Sequence, residues 1–472
     1  SDGDRRAFTM TSTDGEWELA QPAQFEDDIQ NESPHASFTS VSCATPGNCT
    51  AVGYFRNSSD GFEAFTMTLT DGEWETARPA QFEDGIQSDQ PSAFFTSVSC
   101  TSLGNCTAVG DFRNSDGDRR AFTMTSTDGE WETAQPAQFA EGVQGNVDGQ
   151  GMGTYARSVS CASPGNCTAV GEFTNRDEIN EAYTMTMTDG EWELAQPAEF
   201  AEGIQFDAAG FSSVSCASPG NCTAVGSFER FIDDSYTSDA FTMTSTKPPS
   251  NEPGVARPAE FLEGVQSNNA EFSSVSCASP GNCTAVGWFE YQIDGQEDPA
   301  REAFTMTSND GQWEQARPAQ FGEGIQSDQL DAWFGSVSCA SPGNCTAVGN
   351  FKNNADHYEA FTMTSNDGQW EQARPAEFAA GIQHQLRLGA FYSVSCASAG
   401  NCTAVGHFMN SYGYYEAFTM TSITGEWETA KPQVFPDGIQ YKSEPAASLS
   451  SVSCVLPGNC TAVGTFRNRS TN

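Results

Sequence analysis

Lysine is almost missing from this chain, which places it only at 247, 352, 431 and 442. Basic residues number 21 against 63 acidic ones, for a net charge of −42 over 472 residues. A field of that sign repels nucleic acid and anionic membranes, so neither is an expected partner. It suits a solvated acidic surface in a saline medium better than a dedicated cation store. No apolar run approaches the length that spans a bilayer, so membrane insertion is not expected. Helical periodicity of useful length is absent, as is a signal peptide, and Ser1 falls in the middle of a repeat, which predicts a mature or trimmed product. The sequence carries no H-E-x-x-H, no G-x-S-x-G and no phosphate loop. What it does hold is 33 Phe and a hydrophobic share of 37%, enough for a sizeable core despite the charge.

One unit recurs eight times, and its most regular part reads S-V-S-C-A-S-P-G-N-C-T-A-V-G. The first cysteines of successive units are 57, 61, 55, 61, 62, 57 and 58 residues apart, a period that means solenoid, propeller or array. Four strands can be read in a unit. Residues 38–43 form the first, a Pro46-Gly47 turn follows, and residues 49–55 form the second. In the third, Glu63–Thr68, Phe65 and Met67 alternate with Thr66 and Thr68, the period of a strand with two unlike faces. Asp71-Gly72 makes a tight hairpin into a fourth strand that carries Trp74 and runs towards Pro79. A loop, Phe82–Gln87, leads to the next unit.

Four short antiparallel strands per unit describe a propeller blade. The chain opens on a third strand, Ala7–Thr11, and closes on a first and second, Ser451–Cys454 and Cys460–Gly464. Each end is half a blade with an unpaired strand edge, and joining them completes the eighth. The expected fold is therefore all-β: a single eight-bladed β-propeller domain over residues 1–472, its last blade closed by two strands from each terminus. An open solenoid would need polar capping repeats, which are not visible. Pairing of half-blades between molecules would give a filament.

The sixteen cysteines pair by spacing as Cys43/Cys49, Cys100/Cys106, Cys161/Cys167, Cys216/Cys222, Cys277/Cys283, Cys339/Cys345, Cys396/Cys402 and Cys454/Cys460. Two cysteines flanking a five-residue hairpin loop face each other within disulfide range. Each such small ring adds about 2 kcal/mol by loop entropy. Metal thiolate sites favour closer spacings and four ligands, and the four histidines, 35, 357, 384 and 407, share no repeat position. Disulfides imply an extracellular setting, secreted or at the cell surface.

The V-S-C…C-x-A-V-G hairpin followed by G-x-W resembles repeats of secreted bacterial proteins of largely unassigned function. That likeness covers the whole chain and implies secretion and a propeller-like fold. Ser12-Thr13-Asp14-Gly15-Glu16-Trp17 resembles, in shortened form, the Asp-box hairpin of sialidase-type propellers. Lys247–Gly254 departs from it, lacking both Asp-Gly and Trp.

Asn-Cys-Thr recurs at Asn48, Asn105, Asn166, Asn221, Asn282, Asn344, Asn401 and Asn459. Each is formally a glycosylation acceptor, although completing the Pro-Gly turn accounts for the same residue. Asn31, Asn57 and Asn468 begin three further sequons. The inter-unit loops carry Glu83, Asp84, Glu141, Glu202, Glu263, Glu323 and Asp437, which could gather Ca²⁺ but match no complete calcium loop; no cofactor is required. A single active site would break the symmetry, and the irregular segments are 145–153, 231–238, 247–254, 291–301 and 384–388. Tyr236 or Tyr291 with scattered arginines does not establish a sialidase-like site. The expectation is a non-catalytic extracellular protein that binds or scaffolds within a surface, matrix or filament, with protein or glycan partners and self-association. The alternative is a lectin or sialidase-like glycan-active enzyme using the central funnel.

Overall fold

The computed structural model describes residues 4–27, 29–31, 34–144, 153–232, 235–245, 254–262, 269–292, 299–327, 330–384, 388–437, 439 and 446–467. Its fold class is the one the repeat predicts. Among the described residues it is all-β, with eight four-stranded antiparallel sheets of propeller-blade type. Sheets one to seven span Ala36–Pro79, Ala93–Pro136, Thr154–Pro197, Ala208–Pro258, Asn269–Pro318, Ala332–Pro375 and Gly389–Pro432. The eighth joins Ala447–Leu456 and Asn459–Arg467 to Arg5–Thr13 and Glu16–Trp17, with register pairs from Arg5↔Arg467 to Ser12↔Cys460. The two termini thus complete one sheet, as expected from their half-units.

By contact the chain divides into two compact units, Ser1–Pro136 with Ala376–Asn472, and Ala137–Pro375. The first holds sheets seven, eight, one and two; the second holds sheets three to six. Within each unit the packing repeats. Phe38, Phe55, Phe65 and Met67 of the first sheet are buried, joined by Ala7 and Val463 of the eighth. The Phe of the preceding loop plugs the same core: Phe25 lies 5.0 Å from both Phe55 and Phe65, and Phe82 lies 4.9 Å and 5.0 Å from Phe112 and Phe122. The connecting loop is therefore an anchored part of the next sheet's core.

Two repeated features find their cause here. The Gly of V-G-x-F faces a β-bulge in the first strand, between Phe38 and Ser40. A Cβ at Gly53 would stand 2.0 Å from the Ser37 carbonyl oxygen, so no other residue fits. The serines of S-V-S-C bridge neighbouring sheets. Ser40 and Ser42 Oγ accept the backbone N–H groups of Val98 and Cys100 at 3.3 and 2.9 Å, and Ser451 and Ser453 do the same for Val41 and Cys43. The pattern recurs from Ser160 to Cys216 and from Ser276 to Cys339. The first strand is an edge strand, and these hydroxyls satisfy donors that would otherwise be orphaned.

The fourth strand differs from the continuous one expected. It splits into Glu73–Trp74 and Arg78–Pro79, each pairing with the third strand. Between them Ala77 turns away and donates its N–H to the Gln24 carbonyl of the preceding loop, at 2.8 Å. Competition from that loop, plus a proline that cannot donate, interrupts the ladder.

Candidate functional site

Every sheet has two unlike ends. At one end of the first sheet the Pro46-Gly47 and Asp71-Gly72 turns lie together, and in the eight sheets all sixteen cysteines close as the eight expected disulfides. These are Cys43–Cys49, Cys100–Cys106, Cys161–Cys167, Cys216–Cys222, Cys277–Cys283, Cys339–Cys345, Cys396–Cys402 and Cys454–Cys460, with Cα separations of 3.9 to 4.0 Å. Gly72 donates to the Gly47 carbonyl at 2.9 Å, and Asp71 (φ 49°) and Gly72 (φ 85°) both adopt the left-handed conformation of this turn. Ser12 of the shortened Asp-box donates to the Gly458 carbonyl and accepts from Cys460 N, tying the two hairpins together.

The two cysteines of a pair face each other, as their spacing predicts, but they differ in burial. The first of each pair is half-buried on the edge strand. The second is buried in every sheet: Cys49, Cys106, Cys167, Cys222, Cys283, Cys345, Cys402 and Cys460. The cause is position in the blade. The second strand is flanked by the first and third, and its face packs against the neighbouring sheet. A threonine hydroxyl of that neighbour reaches the sulfur: Thr50 lies 3.3 Å from Cys106 Sγ, Thr168 3.2 Å from Cys222, Thr223 3.4 Å from Cys283, Thr284 3.3 Å from Cys345 and Thr403 3.4 Å from Cys460. These second cysteines are therefore core residues that join sheets as well as staples, and none offers a surface for binding.

The Asn of each Asn-Cys-Thr sits in this end. Asn48 Nδ2 donates to Thr45 Oγ1 and the Pro46 carbonyl, and its Oδ1 accepts from Asp71 N. Asn105, Asn166, Asn221, Asn282, Asn344, Asn401 and Asn459 likewise donate back to their own turns. Elsewhere, Asn57 Oδ1 accepts from Ser59 and Gly61 N, and Asn31 Nδ2 donates to Asp60; Asn468 lies outside the described residues. Of the acidic loop residues, Glu83, Asp84, Glu141, Glu202, Glu323 and Asp437 are exposed, and Glu263 lies outside the described residues. Among the described residues no three His, Cys, Asp or Glu side chains gather where a metal ion could be held.

The opposite end is where the repeats stop resembling one another. The variable residue of V-G-x-F is Tyr54, Asp111, Glu172, Ser227, Trp288, Asn350, His407 or Thr465, and its cross-strand partner varies too. In the fifth sheet the pairs Glu271↔Trp288, Asn269↔Glu290 and Glu290↔Arg301 place five polar or aromatic side chains on one face. Arg301 organises them. Its guanidinium carbon lies 4.5 Å from the Trp288 ring centre and 5.8 Å from that of Trp333 in the sixth sheet. Its Nε and Nη2 donate to Glu290 Oε1 at 3.1 and 2.7 Å, and Nη1 is 3.8 Å from Asp331 Oδ1. Tyr358 donates its hydroxyl to Asp331 and packs edge-on against Trp333 at 5.4 Å.

The electrostatics of this cluster are uneven. Burial pushes the Glu271 carboxyl above the usual carboxylate range, and neighbouring Glu229 and Glu290 add to the effect against the pull of Arg301. Glu290 instead faces the guanidinium directly. Burial, then the hydrogen bond to Asp331, pushes the Tyr358 phenol up to about 12. On the other face of the sheet, burial raises Glu302, and burial with the 2.6 Å hydrogen bond to Glu302 raises the Tyr291 phenol. One carboxyl raised by burial beside another held by a guanidinium is an arrangement suited to proton transfer beside a bound ligand.

Tyr291 therefore lies on the far face from Arg301, and Tyr236 packs on Phe231 with both rings exposed, so neither is brought to the cluster. Of the irregular segments, 145–152, 233–234, 247–253, 293–298 and 385–387 lie outside the described residues. Among those segments, 291–301 contributes Arg301 to the cluster. Comparing the eight repeats column by column, at the positions flanking an otherwise constant V-G-x-F, singles out Trp288, Glu271 and Trp333.

No protein-family model matches the chain, and no curated protein matches it. Among solved structures it is similar to an alpha-L-arabinanase from Penicillium chrysogenum (12% identity, 75% of this chain and 98% of that one, TM-score 0.38). It is similar to a lectin from Burkholderia pseudomallei (12% identity, 84% and 100%, TM-score 0.42). It is also similar to an ulvan lyase of a polysaccharide lyase family (10% identity, 82% and 95%, TM-score 0.44). The expectation of a non-catalytic scaffold in a surface, matrix or filament differs from what these neighbours are named for, an arabinanase, a lyase and a lectin. The physical reason the scaffold reading fell short is that uniform repetition, on which it rested, holds at only one end of each sheet.

Proposed function

We propose that this is a secreted, glycan-directed protein that holds its ligand at the Trp288–Arg301–Trp333 cluster of the fifth and sixth sheets. The observation that carries the reading is the stack of one guanidinium between two indoles, flanked by carboxyls in unlike environments. Indole faces suit the C–H faces of sugar rings, and planar charged groups at the ring edge suit hydroxyls. Eight disulfides fit an oxidising extracellular compartment.

A second reading is favoured by Glu271. A carboxyl raised by burial can serve as general acid towards a glycosidic oxygen, and Glu290, held by Arg301, is the second carboxyl beside it. A glycan array followed by a turnover screen separates the two. Trp288→Ala and Arg301→Ala should each abolish binding at this cluster, read as the loss of one site or a weaker capture of the glycan. If a turnover product appears, Glu271→Gln should remove turnover while leaving capture in place. Unchanged capture by both the Trp288 and Arg301 variants would overturn the assignment of the site.

A further inference from the structure

Away from that cluster, at the outer fourth strands, the motif Trp-Glu-x-Ala-Arg-Pro recurs with a biased last polar position. Five of the eight repeats place a cation there, Arg78, Arg257, Arg317, Arg374 and Lys431, in a chain with only 21 basic residues. Such concentration against a net charge of −42 asks for a cause. Ion pairing to the partner Glu is a weak one: Arg78 to Glu75 spans 3.2 Å and Arg317 to Glu314 spans 3.7 Å, both between exposed side chains.

The grooves between adjacent sheets offer a better cause. Between sheets one and two, a groove of about 450 Å³ is bounded by Arg78, Glu75, Thr66 and Thr68 on one side and Trp131 on the other. Between sheets four and five, one of about 560 Å³ sets Arg257, Thr242 and Thr244 against Trp313. Between sheets five and six, one of about 750 Å³ sets Arg317, Glu314, Thr305 and Thr307 against Trp370. Each of these indoles is half-buried, and each groove pairs it with a threonine ladder and a guanidinium from the preceding sheet.

We propose that these three grooves are a second class of binding site, each taking a neutral sugar residue of a glycan chain. An indole wall, paired charged groups of opposite sign and rows of hydroxyls meet the apolar face and vicinal hydroxyls of an uncharged pyranose or furanose ring. An acidic ligand gains nothing from a guanidinium already facing Glu75 or Glu314 and is opposed by the field of the whole chain. A peptide adding as a strand finds no continuous edge, because the fourth strand is interrupted and ends in proline. The inference shares the ligand class of the proposed function but rests on other residues, and it makes the protein a multivalent binder.

Isothermal titration of the intact chain with neutral arabinan-, xylan-, glucan-, mannan- and galactan-derived tetrasaccharides tests it, with alginate tetrasaccharide as the acidic counterpart. At least three sites per chain are expected for one neutral probe. The triple variant Arg78→Ala, Arg257→Ala, Arg317→Ala should lose all three while melting as the wild type does, since these guanidinium groups are exposed. Thr68→Trp and Thr307→Trp, which fill a groove while leaving its guanidinium and its indole in place, should each cost one site. Three sites that survive Trp288→Ala but vanish in the triple variant uphold the grooves; if Trp288→Ala removes no further site, the cluster falls. A single site lost with Trp288→Ala, a stoichiometry unmoved by the triple variant, or preference for alginate overturns the grooves. No saturable binding of any neutral tetrasaccharide overturns both.

Discussion

The two ends of each sheet solve opposite problems. At the stapled end Cys43–Cys49, the turn amide of Asn48 and the paired Gly47 and Gly72 turns are repeated with little change, and their interactions are short in sequence. At the other end Tyr54, Glu172, Trp288 and His407 occupy one position in four different sheets. A scaffold whose stability is secured at one end can vary the other freely. The comparison teaches that repetition marks where the fold is held and that departure from it marks where chemistry is carried.

The largest expected effect tests the first half of that statement. Reducing all eight disulfides should lower stability far more than any point change, at about 2 kcal/mol for each small ring by loop entropy, read as a drop in melting temperature under reductant. A wild-type melting point under strong reductant would show that the staples do not hold this end.

His407 comes next, at the variable end. Burial depresses it to about 4, so it is neutral in the folded protein. Its contribution is present above the ordinary histidine value and is lost as pH falls from about 6.5 through about 4, a span worth about 3 kcal/mol. His407→Phe should flatten the melting temperature over that window; an unchanged acid limb would remove the group from the account. Ser42→Ala follows. It orphans the Cys100 N–H and should cost about 1–3 kcal/mol by denaturant titration, whereas a change under about 0.5 kcal/mol would mean another acceptor takes over.

The smallest stability effects belong to the cluster itself. Trp333→Ala is expected to cost under about 1 kcal/mol, because the ring is half-buried at a sheet end, yet to remove glycan binding at this cluster. Glu271 has a raised pKa, so its share of stability is present at low pH and lost as pH rises through the folded value. Glu271→Gln should therefore melt higher than wild type near neutral pH and show no advantage in acid. Equal pH profiles would show that the carboxyl is not strained by its neighbours.

Much of the fold was legible because its determinants are local. The alternation in Phe65-Thr66-Met67-Thr68, the Asp71-Gly72 turn and the five-residue gap between Cys43 and Cys49 each act within one hairpin. The joining of the termini was legible as well, since two complementary half-units leave one pairing open. Four features were not. The serine hydroxyls of S-V-S-C are visible in the repeat, but their acceptor role depends on the N–H groups of another sheet. The burial of Cys106 beside Thr50, unlike its partner Cys100, likewise depends on the sheet next door. Phe82 read as part of a loop, while its partners Phe112 and Phe122 lie in the following unit. The break at Ala77 depends on a carbonyl more than fifty residues earlier, at Gln24.

The amino-acid order alone determined the strands, the turns, the disulfide partners and the merging of the two ends into one sheet, because each follows from contacts a few residues long or from the arithmetic of the repeat. Only the tertiary structure decided that Arg301 meets Trp333 and Asp331, and that Trp131 faces Arg78 across a groove. Those encounters lie between sheets, where the distance that matters is through space, and no period in the sequence measures it.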